Sequence, residues 1–221
     1  MRNVAWLYVA ALVYAVVRYV VFAPKNLDHL PVFVVNKGVS MAAALCFVAG
    51  FWAQWRRSRG KSNGTDPGTW FRAGVFGAVA HIPMSLAILR PDYFAEFFAG
   101  NRLSFNGEAI VLFGGLTAGT VYLLGRANWT PRQRWWLSLG SVAVLAGHTL
   151  CMGIARGLNI NASHAYLPPM WLLSLVGVVA GAWFLLLSRP PKASSQGAGP
   201  DAVRGEEGHS TASEWFFPSE N

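Results

Sequence analysis

The sequence predicts an all-α membrane protein, a six-transmembrane-helix bundle with both termini cytoplasmic, and three observations predict it. Only 13% of the 221 residues are charged and 53% are hydrophobic, whereas a soluble domain carries about a quarter charged residues. The apolar residues fall in six blocks, each close to the roughly 20 residues that a helix needs to cross a hydrocarbon core of ~30 Å. Lys and Arg are concentrated in alternate connections between those blocks.

The first block, Val4–Ala23, is apolar all round through Val17, as a lipid-facing or fully buried helix is. A single upstream Arg, Arg18 inside the apolar run and Pro24 after Ala23 make a poor secretory signal, so the segment is expected to be retained as a helix. The second block, Val32–Trp55, carries Asn36 and Lys37 near one end. The Ser/Gly/Lys/Arg-rich connection Arg56–Thr69 is too short to fold by itself. The third block, Trp70–Leu89, contains His81 and Pro83. After it, Arg90–Phe98 has closely spaced aromatics and is expected to lie on the membrane surface as a short amphipathic segment.

The fourth block, Leu103–Leu124, holds Asn106 and Glu108 near one end, the fifth, Trp135–Ala155, holds His148, and the sixth is Leu167–Ser188. The pairs Gly115/Gly119 and Gly177/Gly181 suit close helix approach or space for a bulky ligand. Residues 1–190 thus form one membrane domain. Residues 191–221, rich in Pro, Ser, Gly and charge, are expected to be a disordered cytoplasmic tail. Its end, Glu214-Trp215-Phe216-Phe217-Pro218, would serve as a docking peptide or interfacial anchor if it acts at all.

The net charge of +8 does not indicate nucleic acid, because its placement is topological. Arg56, Arg57, Arg59, Lys61 and Arg72 gather around one connection, Arg126, Arg132 and Arg134 around another, and Arg189 and Lys192 follow the last helix. The other connections hold only Lys25, Arg90, Arg102 and Arg156. Lys/Arg excess in short loops marks the cytoplasmic side, which with six spans puts both termini in the cytoplasm; residence in the cell inner membrane, with the lipid bilayer as first partner, is the expectation. Cys46 and Cys151 lie inside predicted spans without metal or redox spacing, and read as small apolar core residues.

Of the five histidines, only His81 and His148 lie deep in spans; His29 and His164 fall in outer connections and His209 in the tail. Counted from the cytoplasmic ends of their helices, His81 lies ~16 Å and His148 ~21 Å in, at similar depth on helices that run the same way. A titratable or metal-binding side chain at that depth is costly without a partner. Two arrangements fit: imidazoles gripping a haem iron from both sides, or separate histidines each bonded to a carbonyl or serine of a neighbouring helix.

Several stretches resemble the bacterial ferric-reductase-like transmembrane family, which includes the haem-binding membrane subunit of the periplasmic methionine sulfoxide reductase system. They are Val35-Asn36-Lys37-Gly38, Phe71-Arg72-x-Gly74 leading to His81, Pro91-Asp92-Tyr93-Phe94 through Asn106-Gly107-Glu108, and Arg134-Trp135 leading to His148 and Met152-Gly153. The resemblance implies one b-type haem held by His81 and His148 as metal ligands. It also implies electron transfer to an acceptor at the outer face: ferric chelate, quinone or a partner protein. Two-haem relatives carry a further histidine on each of these helices, where this chain has Pro67 and Gly68 or Trp135 and Arg134, so a single haem is expected. With no flavin or nicotinamide domain, a separate electron donor, a flavin reductase or quinol, would be required.

Arg18, Lys37, Arg90 and Arg156 all sit near outer helix ends, where snorkelling to headgroups is the ordinary role. Within the haem reading, one or two would pair with propionates, and Arg18 and Lys37 are the expected inward-facing pair; Glu108 is the alternative partner for either. The competing class is a cofactor-free small membrane transporter or assembly factor using Arg18, Lys37 and Glu108 as a polar pathway. Such transporters usually show inverted repeats or broken helices at midplane. Pro83 is the one such break the sequence offers, and no internal repeat is apparent.

Overall fold

The protein was analysed as a computed structural model that describes residues 1–22, 30–61, 64, 66–126, 129–155 and 167–189. Lys25, His29, Arg156, His164 and everything from residue 190 onward, including His209, Lys192 and the aromatic end of the tail, lie outside the described residues.

Six long α-helices make up most of what is described: α1 (Arg2–Val16), α2 (Leu30–Ser58), α3 (Pro67–Ala87), α4 (Phe105–Arg126), α5 (Pro131–Ile154) and α6 (Met170–Leu187). Each coincides with one of the apolar blocks. Five are long and apolar enough to cross a membrane, and α3 is not among them. Its 21 residues include Arg72, His81, Pro83 and Ser85, which dilute an otherwise apolar helix.

Helix starts follow local chemistry. Asp66 caps α3 by accepting from the Thr69 N–H at 3.1 Å, and Pro67 occupies the first turn, where its missing N–H costs nothing. At α5 the Thr130 hydroxyl accepts from the Gln133 N–H (3.3 Å) while Gln133 Oε1 accepts from the Thr130 N–H (3.1 Å), a reciprocal capping box with Pro131 behind it. Pro83 does not break α3, which continues to Ala87. The irregularity lies in the first helix instead, whose last turn widens into a π-helix over Val17–Val21. Such widening often accompanies functional positions, and this one carries Arg18.

The segment expected to lie on the membrane surface buries Phe94 and Phe97 and leaves most of its neighbours exposed or half-exposed. It forms turns, a 3₁₀ turn (Ala95–Phe97) and a two-residue strand pair, β1 (Phe98–Ala99) with β2 (Arg102–Leu103). Gly100, at φ +63°, makes the tight reversal that the pair needs. Its aromatics are drawn into the bundle end. Phe94 and Phe97 are 4% and 2% exposed, and stack on each other with centroids 5.1 Å apart. Burying two phenyl rings stabilises by several kcal/mol (~1.5–3 each), which outweighs leaving them at an interface.

α2 is the hub and packs against α1, α3 and α6; α6 packs on α5, and α5 on α4. Gly177 and Gly181 of α6 let Leu45, Val48 and Phe51 of α2 approach closely, whereas Gly115 and Gly119 of α4 face open space. The helices therefore form an arc, α3–α2–α6–α5–α4, whose two end helices touch at most slightly among the described residues.

Candidate functional site

Two helices of this arc carry the histidines singled out in the sequence. His81 projects from α3 and His148 from α5, both partly buried. These helices share no broad packing, yet a charge on His148 would act on His81, and Lys37 of α2 lies within electrostatic reach of both. The arc curls far enough to bring together three of the residues singled out in the sequence.

Each imidazole is anchored through the same nitrogen. His148 Nδ1 lies 2.9 Å from the Ile110 carbonyl of α4. A carbonyl can only accept, so Nδ1 carries the proton and the lone pair is left on Nε2. His81 Nδ1 lies 2.6 Å from Oδ1 of Asn36 on α2, an acceptor that fixes the same tautomer. Ser85, one turn further along α3, places its hydroxyl oxygen 3.2 Å from both His81 ring nitrogens. An oxygen equidistant from the two sits over the ring face and in line with neither lone pair. Asn36 Nδ2 in turn donates to that hydroxyl at 3.1 Å.

Hydrogen bonds to a carbonyl and to a neighbouring helix were the alternative to metal ligation in the sequence. They are present, and the bonds to Ile110 and Asn36 use Nδ1, so they do not compete with ligation through Nε2. Metal-binding histidines are ordinarily held this way, the non-ligating N–H given to a carbonyl or side-chain oxygen. The donor set, one imidazole on α3 and one on α5, each held at Nδ1, has the chemistry of haem-iron ligands; Ser85 Oγ lies 3.2 Å from Nε2 of His81.

The two cations differ in position. Lys37 is 8% exposed, with Nζ 4.9 Å from the Phe94 ring centroid and 5.4 Å from that of Phe33, a cation–π setting toward the N-terminal end of α2. Arg18 is 3% exposed and donates to the carbonyls of Leu167 and Pro168 (3.0 Å to the latter), tying the π turn of the first helix to the entry of α6. Tyr14 donates to the same Pro168 carbonyl at 2.5 Å. Both cations are buried, and Lys37 lies within electrostatic reach of both histidines. Glu108 is exposed in the first turn of α4.

Asn36, Ser85 and the Ile110 carbonyl were not picked out from the sequence as site groups. For Asn36 the signal was there: a carboxamide inside an apolar helix is costly unless bonded, and it is 2% exposed. Nothing in the sequence points to the Ile110 carbonyl, since every residue has one.

No family model matches the chain, and no curated protein matches it.

Proposed function

We propose that the chain is a membrane electron-transfer protein that holds one b-type haem between His81 and His148 and passes electrons to an acceptor at the outer face. The observation that carries this reading is the shared anchoring of the two imidazoles through Nδ1, which leaves two Nε2 lone pairs on facing helices. Bound there, the haem would supply outer-sphere one-electron transfer, because two imidazoles leave its iron no open position. Lys37 is the cation best placed to meet a propionate, and Arg18, at the same end, is the second. The reading includes six spans, with α3 as a span stabilised by its neighbours, both termini in the cytoplasm, and residence in the cell inner membrane. A separate flavin reductase or quinol supplies the electrons.

The test is a visible spectrum of the detergent-purified protein, oxidised and then dithionite-reduced. A non-covalent low-spin haem with sharp reduced bands is expected, since there is no C-x-x-C-H attachment sequence. His81→Ala and His148→Ala should each severely deplete it, and His164→Ala should matter much less. Full haem occupancy in the double variant of His81 and His148 overturns the ligand assignment, and two haems per chain overturn the single-haem reading.

A further inference from the structure

The two imidazoles are anchored by groups of different kinds. His148 is held by a main-chain carbonyl, which no substitution removes. His81 is held by a side chain on another helix, Asn36, at 2.6 Å. Asn36 is 2% exposed, and both ends of its carboxamide are engaged, Oδ1 at His81 and Nδ2 at Ser85. A carboxamide buried in an apolar helix is retained at a cost of ~1–3 kcal/mol unless it is bonded, so this one persists because its partners satisfy it. Those partners all lie on α3. A bond across two helices fixes what an isolated rotamer leaves free: the rotation of the ring about its Cβ–Cγ axis and the nitrogen that carries the proton.

We infer that Asn36 is a positioning residue for His81, setting its ring orientation and its Nδ1–H tautomer, and that it thereby tunes the iron that His81 would ligate. The inference rests on the haem reading for its second half alone; the tautomer and ring orientation belong to the protein without haem. Ser85 has a lesser part. Its oxygen lies over the ring face and supports Asn36 Nδ2, so it aligns the carboxamide and not the imidazole.

Three variants separate this role from mere packing. Asn36→Leu keeps the volume and removes the acceptor, Asn36→Asp keeps an acceptor at the same reach, and Ser85→Ala leaves the Nδ1 bond in place. In the haem-free protein, nitrogen-15 NMR of the histidine side chains should show the Nδ1–H tautomer for His81 in wild type, Asn36→Asp and Ser85→Ala. Asn36→Leu should show a mixture. In haem-loaded protein, Asn36→Leu should weaken haem affinity about 10- to 100-fold, the usual cost of removing a partner of a ligating histidine. Asn36→Asp should restore most of that affinity. Reduction potentials should move in opposite directions, upward for Asn36→Leu and downward for Asn36→Asp, because a stronger acceptor at Nδ1 makes Nε2 a more basic ligand.

An unchanged His81 tautomer in Asn36→Leu overturns the inference whatever the haem result. Potentials that fail to diverge in the two loaded variants overturn the tuning and leave the haem reading intact. A wild-type protein that takes up no haem, with the tautomer behaving as stated, overturns the haem reading and the tuning, and leaves the positioning role.

Discussion

The wall behind His148 offers a graded test of the site. Gly114 of α4 stands where an added Cβ would lie 3.4 Å from both Cε1 and Nδ1 of His148, an ordinary van der Waals distance. Gly114→Ala should therefore fit without moving the ring. It also removes the helix penalty of glycine, up to ~1 kcal/mol, so the variant should be as stable as wild type or slightly more so, with haem content unchanged. Gly114→Leu is different. Its further carbons must enter space that the imidazole fills, which costs ~1–3 kcal/mol as overpacking, and turning the ring away breaks the Nδ1–H bond to Ile110, about another 1 kcal/mol. The sum, about 2–4 kcal/mol, is comparable to the total cost of many core deletions. The assay is the haem-to-protein ratio of purified variants together with their thermal unfolding in detergent. Within the haem reading, full haem is expected in Gly114→Ala and strong depletion in Gly114→Leu. A Gly114→Leu protein with wild-type haem content would refute the placement of His148 against α4.

Three further outcomes are expected. Gly77→Ala should lower thermal stability by ~1–3 kcal/mol, because its Cβ would lie 2.9 Å from that of Ala43 and collide with the Tyr8 hydroxyl, which donates to the Ala73 carbonyl at 2.8 Å; Gly119→Ala, facing open space, should not. A reporter fused after Lys61, Arg132 or Lys192 should report cytoplasm, and one after Asp28, Gly100 or Asn161 the outer compartment; a periplasmic signal from the Lys61 fusion defeats the topology. The purified protein should not oxidise NADH or NADPH unaided, and stoichiometric flavin that copurifies and accepts electrons from NADPH would show otherwise.

The six helices were legible because a membrane-crossing helix is written in composition over some 20 residues, and each observed helix begins and ends near its predicted block. The caps sharpened this, since Asp66-Pro67 and Thr130-Pro131 are start signals in their own right. Less legible was the end of the first helix. A π turn over Val17–Val21 leaves no compositional mark. Its partners, the Leu167 and Pro168 carbonyls, are about 150 residues away, at the start of the last helix. For Arg90–Phe98 the closely spaced aromatics gave no sign of the inner partner: Phe94 packs on Phe33 of α2, 6.0 Å between ring centroids, while most of the segment's other side chains stay at least partly exposed. At the site, counting along the helices gave an expected depth for His81 and His148 but not their anchors. Depth follows from counting along one helix, whereas an anchor depends on the rotation of two helices relative to each other.

Within the haem reading, the same helices bear on why one haem is expected and not two. The positions where relatives carry a second pair of histidines fall in the first turns of α3 and α5. On α3 that turn belongs to the Asp66 cap, with Pro67 and Gly68 buried beneath it. On α5, Trp135 is 7% exposed and donates its indole N–H to the Leu185 carbonyl of α6 at 2.9 Å, a bond joining the two helices. Between these turns lies a packed core of Phe51, Phe71, Trp135, Val142, Val178 and Leu185. A shallow gap beside that core is lined by Ala44, Phe47, Val142 and similar apolar side chains, with no ligating group among them. Introducing histidines at Gly68 and Trp135 would therefore disturb a cap and sever a helix–helix bond while Phe71 and Phe51, 5.1 Å apart at their ring centroids, still filled the space between. The half of the bundle at the first turns of α3 and α5 lacks more than two side chains. Its packing already does the work of holding α2, α3, α5 and α6 together, and a second haem would have to displace it.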